Sequence, residues 1–473
     1  MLLAIENCNE APSAASPVGL LPMKAISLWM AAALATLFLS ATCYAAGDGV
    51  HSVTIYDRDL TFLYGADVPR FVESLIVPPT YVKGGVLIDG TGSEPRSNPG
   101  FLVEDGIIRL VRSDEAPEGV RELDATGTWI VPGLYDLHTH LTFYLPGGFH
   151  AEDDVLNALR TLKFLEHYQR IGVTTVFDVA SRNNVGFSLK RGQRMGFVGG
   201  ARLFVSGPAI TVSGGHPTEF QPYSESAFAV EGNGPWEMRK LVREAVKKGA
   251  DFVKVLPPLT QEELDAVVDE AHAWKLRVTS HVGGIQDLSR SSGSRSVKAG
   301  VDSVHHLYPH SENDPALFRQ MAAEEIYVIP TIAYHLKEVS GAAHISNQWL
   351  ETNIGHDRQS VLSTFKAMQE AGLKFGVGTE SNPLEMLRID ELYAAELEAM
   401  LENGLQPTQV IRAATLHSAE AMGLGSEAGS IQDGKWADIL ILAEDPLKDI
   451  SALVRPQVVI QAGRVVHGEF QTD

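Results

Sequence analysis

The feature that most constrains this chain is a pair of histidines, two residues apart, at the end of a short apolar segment. The run Thr128–Val131 has β-strand character and leads into Pro132–Leu141, which contains His138 and His140. Side chains two apart in an extended strand point to the same face, so both imidazoles can approach one metal ion. A histidine pair packed in a core strand would have the same spacing. Whether the pair binds a metal or packs in a core strand therefore depends on which other polar residues the chain places nearby.

Composition and charge narrow the class of protein. The 473 residues are 44% hydrophobic and 21% charged, as is typical of a globular chain, and the formal net charge is −21 at pH 7. This negative balance disfavours nucleic acid or an anionic membrane surface as a partner, because like charges repel. We therefore expect no nucleic acid as a partner, and the acidity itself gives no clue to the substrate. The sequence leaves assembly into a homo-oligomer open.

Residues 1–46 are predicted to be a leader. From Met23, a positively charged start is followed by the apolar run Ile26–Leu39 and by small residues that permit cleavage after Ala45 or Ala46. This is the layout of a secretory signal peptide, and it makes Met23 the expected true start. The mature chain is therefore expected to be exported, either periplasmic or secreted, with no membrane span after cleavage.

An uncleaved anchor is the alternative interpretation of this leader. Ala25–Ala46 carries no charge and is long enough to cross a bilayer. Both cysteines of the chain, Cys8 and Cys43, lie in the leader. The mature protein is therefore expected to contain no disulfide and to perform no thiol chemistry.

Short strand patterns occur towards both ends of the chain. Asp105-Gly106 is a strong two-residue hairpin turn between two of them. We predict one small β-sandwich domain built from both chain ends, with residues 47–131 as its first part and 425–473 as its second. The predicted strands are Gly85–Asp89, Phe101–Glu104, Ile107–Val111, Ala437–Leu442, Val458–Gln461 and Arg464–Val466.

Between these parts, apolar strands alternate with amphipathic helices. Repeated βα units of this kind indicate an α/β fold, and about eight of them favour a (β/α)₈ TIM-like barrel over residues 132–424. The stretch Tyr334–Arg358 is too long for a simple loop and is predicted to be a lid or an added helix. The predicted strands are Val173–Val179, Leu203–Val205, Phe252–Leu256, Arg277–His281, Ser303–Leu307, Tyr327–Pro330 and Lys374–Gly378, and the predicted helices are Glu152–Ile171, Trp236–Lys248, Gln261–Trp274, Pro315–Glu325 and Leu362–Glu370.

Polar residues stand where successive predicted strands end. Catalytic groups of such barrels lie at the carboxyl ends of the strands. Imidazole and carboxylate are the usual ligands of zinc and similar divalent ions. Because successive strand ends supply these groups, the pattern favours a metal site over chance. The residues are His138, His140, Lys254, His281, His305, His306 and Glu380.

Together with these residues, longer stretches of the chain resemble the amidohydrolase superfamily of metal-dependent hydrolases. The nearest members are the imidazolonepropionase-like and Xaa-Pro-dipeptidase-like enzymes. The resemblance runs from about Tyr81 to Gly468. It includes Asp124–Gly127 before the His-x-His motif, the stretch Ala413–Ala421 and the closing segment Gly429–Asp438.

The resemblance implies a centre with two divalent metal ions, for which zinc is expected. His138 and His140 would hold the more buried ion, and His281 and His306 the second one. Lys254 would carry a CO₂-derived carbamate that bridges the two ions. A water between them would be acidified and directed at a carbonyl carbon.

The resemblance also implies roles for His306 and Glu380. His306 is preferred to the adjacent His305 as the ligand because it occupies the family position after Asp302-Ser-Val. His305 is expected to pack or to contact substrate. Relatives usually have Gly-Thr-Asp-Ser after the last strand, where this chain has Glu380 in Gly-Thr-Glu-Ser. Glu380 is therefore predicted to be both a metal ligand and the catalytic proton carrier, with an arm longer by one methylene.

Substrate contacts are predicted in the loops that follow the strands. His216, in Ser213-Gly-Gly-His216, resembles a residue that faces the substrate in relatives, although a structural turn histidine would fit the loop equally well. Tyr223 and Tyr308 are further candidates, and His310 is a weaker one.

The expected activity is hydrolysis of an amide-type C–N bond in a dipeptide, an N-acyl amino acid or a cyclic amide. Hydrolysis of a lactone or ester, or deamination at the same site, is the alternative within enzymes. A catalytically impaired binding relative is the alternative outside them, and it is suggested only by Glu380 in place of aspartate.

Overall fold

The computed structural model describes residues 78–97, 100–110, 116–143, 153–216, 228–282, 292–306, 314–336, 358–383 and 386–469. These residues fall within the compact unit Val77–Asp473. The leader at 1–46, the segment 47–77 and most of the predicted lid lie outside the described residues. Within the described parts, no helix has the length and apolar character needed to cross a membrane.

The strands are short, and most lie close to their predicted positions. They are β1 Thr80–Lys83, β2 Val86–Leu87, β3 Arg96–Ser97, β4 Gly100–Glu104, β5 Ile107–Leu110, β6 Arg121–Asp124, β7 Trp129–Pro132, β8 Leu134–Thr139, β9 Val173–Asp178, β10 Arg202–Val205, β11 Ala209–Thr211, β12 Ala229–Glu231, β13 Phe252–Val255, β14 Arg277–His281, β15 Ser303–His305, β16 Tyr327–Ile329, β17 Ile439–Leu442, β18 Val458–Gln461 and β19 Arg464–His467.

Helices separate the central strands. They are α1 Asp154–Arg170, α2 Val185–Arg194, α3 Pro235–Lys248, α4 Gln261–Ala273, α5 Ser292–Ala299, α6 Pro315–Ala323, α7 Ile332–Leu336, α8 Arg358–Glu370, α9 Ile389–Glu402, α10 Pro407–Arg412 and α11 Ser418–Ala421. Single turns of 3₁₀ helix lie at Met386–Arg388 and Ile450–Val454, and a π-helical turn lies at Ala413–His417.

Local sequence signals account for several helix ends. At the start of α4, the Thr260 hydroxyl accepts the N–H of Glu263, while the Glu263 carboxylate accepts the N–H of Thr260. This reciprocal capping box satisfies backbone donors that the helix leaves free. Helix α3 begins with Pro235 and ends at Gly249, whose φ of 90° is the left-handed conformation that glycine adopts easily.

The two chain ends meet in one sheet, as the pattern predicted. Strand β17 pairs antiparallel with β7, and the sheet has the order β19-β18-β17-β7-β2-β3. A second sheet has the order β5-β4-β1-β6. Apolar side chains of both sheets, such as Val82, Phe101, Ile130 and Ile439, form one buried cluster. An independent sandwich domain stays a prediction.

The central strands are parallel and buried, which gives a mixed α/β fold. One parallel sheet has the order β10-β9-β8, and another has the order β12-β11-β13-β14-β15-β16. All residues of β9 and β13 are buried. Strands covered on both faces read as continuous apolar runs, so their positions could be predicted.

The predicted last strand at Lys374–Gly378 does not form a ladder. Instead it makes isolated parallel bridges, with Phe375 opposite Val328 and Ser381 opposite Thr139. Backbone hydrogen bonds also join Gly376 N to the Val328 carbonyl. The described strands thus form separate sheets, which this segment connects through a few backbone hydrogen bonds and isolated bridges, and a closed (β/α)₈ barrel stays a prediction of the sequence.

Two differences from the predicted elements have physical causes. Strand β15 ends at His305 and not at Leu307, because His306 takes a φ of 79° and leaves the extended conformation. Helix α9 was not predicted. It is buried on most of its sides, so its sequence lacks the one-sided apolar pattern of a surface helix.

Gly378 marks a close approach between the last strand segment and its neighbours. A Cβ at this position would lie 2.5 Å from Ile329 Cγ2 and 2.7 Å from His138 Cβ. Real Cβ atoms do not come this close to other carbon atoms, so any larger residue would displace His138 or Ile329. The absent side chain at Gly378 therefore helps to define where His138 lies.

We expect Gly378→Ala to lower the free energy of unfolding by about 1–3 kcal/mol, the usual cost of overpacking a filled interior. Urea denaturation would measure this loss. Gly199→Ala is the control, because a Cβ there meets nothing within 4 Å. Equal stability of the two variants would show that the close approach at Gly378 carries no energetic cost.

Candidate metal centre

The carboxyl ends of the parallel strands bring the predicted ligands together. His138 lies in β8, and His140 follows its end. His281 is the last residue of β14, and His306 directly follows β15. The side chains of His138, His281 and His306 are buried. Strand geometry thus places imidazoles that are far apart in the sequence around one point.

Glu380 is the residue that joins these histidines. Its Oε2 lies 2.6 Å from His138 Nε2 and 3.6 Å from His306 Nε2, and its Oε1 lies 3.2 Å from His140 Nε2. The ligand atoms of His138, His306 and Glu380 all lie within 4.8 Å of one another. The longer arm of glutamate therefore reaches the cluster.

Ring contacts extend the cluster to His281 and His216. The ring centroids of His281 and His306 are 4.4 Å apart, and those of His138 and His306 are 4.6 Å apart. The ring of His216 lies 4.9 Å from that of His281. The loop histidine thus borders the same cluster as the predicted ligands.

The cluster favours neutral imidazoles and an ionised carboxylate. Burial lowers the pKa of His138 to about 3, against the opposing effect of Glu380. Burial also lowers the pKa of His281 well below its usual range. For Glu380, burial acts to raise the pKa, but His138, His306 and His140 together hold it well below its usual range. Neutral imidazole and ionised carboxylate are the forms that bind metal ions.

Lys254 occupies the position predicted from β13. It is buried, and its Nζ makes no hydrogen bond to any of the described residues. Burial lowers the pKa of Lys254 to about 7, while the nearby Glu380 acts in the opposite direction. A buried amine without a partner is costly. An ion or a covalent modification in this cluster would remove that cost, so the donor set fits a divalent metal centre.

The backbone is strained at two of these positions. His306 has a φ of 79° and Glu380 a φ of 59°, in the left-handed region that residues other than glycine rarely adopt. The N–H of His306 donates to the Ile329 carbonyl, and that of Glu380 donates to the His138 carbonyl. These bonds hold the strained turns, which often occur at functional sites.

A buried carboxylate, Asp136, fixes the turn that carries Glu380. It accepts hydrogen bonds from the N–H and hydroxyl of Thr379 at 3.0 and 2.6 Å, from the Tyr168 hydroxyl at 3.1 Å and from the His138 N–H at 3.2 Å. The Tyr168 hydroxyl also lies 2.5 Å from Ser381 Oγ. Asp136 therefore connects the strand of His138 to the turn of Glu380.

Asp136 was not among the site residues predicted from the sequence. The sequence did contain a pattern that could have indicated it. Asp136 precedes His138 by two residues in β8, so the two side chains point to the same face of the strand. Its burial could not be inferred from the sequence. The predicted substrate residues Tyr223 and Tyr308 lie outside the described residues, as does His310.

His305 packs within the cluster, which is one of its two predicted uses. Its Nδ1 lies 2.7 Å from His138 Nδ1, which makes one ring the donor and the other the acceptor of a hydrogen bond. Like His306, it is buried. His305 thus packs against a predicted ligand at the point opposite Glu380.

Comparison with known proteins agrees with this geometry. A sequence model described as "Amidohydrolase family" matches residues 129–466. The ochratoxinase of Aspergillus niger is 25% identical over 429 residues, which covers 80% of this chain and 84% of the relative. The imidazolonepropionase of Porphyromonas gingivalis is 24% identical over 388 residues, which covers 77% of this chain and 89% of the relative.

Solved structures also match. A Xaa-Pro dipeptidase crystallised with methionine in its active site is 26% identical with a TM-score of 0.71, which covers 82% of this chain and all of that one. The crystal structure of A. niger ochratoxinase is 22% identical with a TM-score of 0.69, covering 83% of this chain and 96% of that one. At this lower identity the likeness concerns the fold alone. The neighbours imply a TIM-like barrel.

We expect Asp136→Asn to lower the free energy of unfolding by about 1–3 kcal/mol or more. An amide can accept only through its oxygen, so at least one buried N–H or hydroxyl loses its partner. Thermal and urea denaturation would measure the loss. Asp124→Asn is the control, because Asp124 is exposed and accepts the Thr126 N–H in a surface turn. Equal effects of both substitutions would contradict the role given to Asp136.

Proposed function

This chain belongs to the amidohydrolase family, and from that membership we propose that it hydrolyses an amide-type C–N bond of a small molecule at a centre of two divalent metal ions. One observation carries the proposal: imidazoles, a carboxylate and a buried lysine converge at the strand ends. This donor set is typical of catalytic divalent ions and of zinc in particular.

We assign the histidine ligands to two groups, with Lys254 as the ligand that both would share. His138 and His140 would hold one ion, His281 and His306 the other, and Glu380 lies within reach of both groups. When bound, these ions supply Lewis-acid activation of water and of a carbonyl group.

Lys254 is proposed to carry a carbamate that bridges the two groups. The amine reacts with CO₂ only when it is neutral, and burial lowers the pKa of Lys254 to about 7. The nitrogen attacks the CO₂ carbon and releases a proton, which leaves an anion with two oxygens. This anion has the charge and donors that the bare amine lacks.

Glu380 is proposed to carry the proton. A water molecule adds through its oxygen to the carbonyl carbon and gives a proton to the Glu380 carboxylate. Glu380 then delivers this proton to the nitrogen as the C–N bond breaks, which yields a carboxylic acid and an amine. The contacts of Glu380 with His138 and His140 place its oxygens at the centre of the cluster.

The substrate class is proposed from the relatives and from His216. Candidate substrates are a dipeptide with C-terminal proline or another residue, an N-acyl amino acid, or a cyclic amide. The Xaa-Pro dipeptidase likeness supports the first of these. His216 lies beside His281 and would bind a carbonyl or carboxylate group of the substrate, with Tyr223 and Tyr308 as further candidates.

The alternatives are less consistent with the cluster. Deamination at a single ion gives no use to a carbamate at Lys254, whose burial without a partner among the described residues needs an explanation. An impaired binding relative is suggested only by Glu380, yet this carboxylate reaches the histidines. Export of the mature chain is part of the proposal, based on the pattern at Met23–Ala46.

The activity would be tested with zinc-loaded protein and a panel of dipeptides, N-acyl amino acids and cyclic amides, with lactones and esters as a second group. We expect at least one amide group to be hydrolysed with release of an amine. Turnover of lactones or esters alone would select the ester alternative. No turnover by protein with a full metal complement would favour the binding relative.

We expect Lys254→Ala to lose most of the second metal ion and nearly all activity, because the bridge is absent. With ¹³C-bicarbonate, the parent should show a carbamate NMR signal that weakens as the pH falls below about 7, where the lysine of the metal-free protein becomes protonated. Lys298→Ala changes an exposed lysine and is the control. Two bound ions and normal turnover in Lys254→Ala would rule out the bridge.

We expect Glu380→Gln to keep the fold and most of the metal but to lose about two to four orders of magnitude in rate, the usual contribution of acid–base catalysis. Glu380→Asp is the matched variant, since it shortens the arm and keeps the carboxylate. A fall in rate means that the pocket has adapted to glutamate, and a rise means that the parent is impaired. If Glu380→Gln turned over as fast as the parent, Glu380 would not be the proton carrier.

A further inference from the structure

Helix α9 carries a buried carboxyl group, that of Glu396, and burial raises its pKa to about 8 against the opposing effect of two backbone hydrogen bonds. Glu396 is 0% exposed, and its Oε1 and Oε2 accept the backbone N–H groups of Ile332 and Ala333 at 3.0 and 2.7 Å. These two residues directly follow the turn after β16. Glu396 lies about sixty positions from these two residues in the chain, so the contact could not be predicted from the local sequence.

The Glu396 contact holds a strained residue in place. Thr331, which precedes Ile332, has a φ of 49°, and a β-branched residue rarely adopts this left-handed conformation. Strain of this kind persists only where surrounding contacts enforce it. Thr331 itself is fully buried. The two N–H bonds to Glu396 fix the backbone immediately after it.

The conformation of Thr331 brings its hydroxyl to His306. Thr331 Oγ1 lies 2.8 Å from His306 Nδ1. The other ring nitrogen, His306 Nε2, lies 3.6 Å from Glu380 Oε2 and thus faces the cluster. For a histidine that binds a metal, the partner of the second nitrogen fixes the orientation of the ring, and removal of that partner typically weakens metal binding 10- to 100-fold.

We propose that Glu396 is a positioning residue for the metal centre, which acts through Thr331 to hold His306 with its Nε2 directed at the cluster. This inference rests on the proposed function, because it requires His306 to bind a metal ion. Glu396 touches neither substrate nor ion. It controls the backbone that presents Thr331, and Thr331 controls the ring.

Helix α9 also contacts strand β8, which carries His138. A general loss of helix packing is therefore the competing explanation for any change in metal binding. The Tyr393 hydroxyl donates to the Tyr135 carbonyl in β8 at 2.6 Å. A loss of helix packing could therefore disturb β8 and its histidines. Leu397 is fully buried on the same helix and is apolar. Leu397→Ala removes packing without breaking the contact between Glu396 and the N–H groups, and it is the matched control.

The test measures zinc affinity by competition with a chelator, together with the absorption spectrum of the Co²⁺-loaded protein. Thr331→Val removes the hydroxyl at constant size, and Thr331→Ser retains it. Glu396→Gln keeps the size but places an NH₂ group against one backbone N–H. We expect Thr331→Val and Glu396→Gln to bind the zinc ion assigned to His281 and His306 10- to 100-fold less tightly than the parent does. The absorption spectrum of the Co²⁺-loaded variants should change as well.

The control variants and the double variant show whether the loss of zinc affinity is specific to the contact of Thr331 with His306. Thr331→Ser should bind zinc as the parent does. Leu397→Ala should have a lower melting temperature but parental affinity. The double variant Thr331→Val with Glu396→Gln should lose no more zinc affinity than the more affected of the two single variants. Both substitutions act on the same ring, so their effects should not add.

Two results would overturn the inference alone. One is parental zinc affinity in Thr331→Val or in Glu396→Gln. The other is an equal loss of affinity in Leu397→Ala, which would make the effect one of general stability. If the parent itself binds no zinc, the proposed function and this inference both fail. The parent measurement therefore separates the two failures.

Discussion

The site depends on the junction between strand β8, which carries His138, and the turn that carries Glu380 after the segment Lys374–Gly378. Glu380 donates its backbone N–H to the His138 carbonyl, and His140 donates to the Ser381 carbonyl, both at 2.8 Å. Asp136 binds Thr379 across the same junction. Because these bonds fix the strand and the turn together, the Glu380 side chain meets His138 and His140 at a defined distance.

Burial at this junction also determines the charges. His138, His306 and His140 hold the pKa of Glu380 well below its usual range, and burial lowers the pKa of His138 to about 3. Lys254 has a lowered pKa for the same reason. The cluster is largely removed from solvent, and Lys254 Nζ has no hydrogen-bond partner among the described residues. Divalent cations would supply the missing positive charge, which is why the electrostatics and the family agree.

The sequence predicted the features that arise from local periodicity. The spacing of His138 and His140 placed both on one face of β8, and the apolar strands placed Lys254 and His281 at strand ends. It could not predict contacts between distant segments. The burial of Asp136, the left-handed turns at Thr331 and His306, and the contact of Glu396 with Ile332 all depend on how strands and helix α9 pack. None of these leaves a regular pattern in the chain.

We propose that this cluster holds two divalent ions. Anomalous X-ray diffraction at the zinc edge, on crystals of the zinc-loaded protein, tests it most directly. We expect two peaks, one beside His138 and His140 and the other beside His281 and His306, with Lys254 between them. Zinc bound only outside this cluster, or no ordered zinc at all, would contradict it.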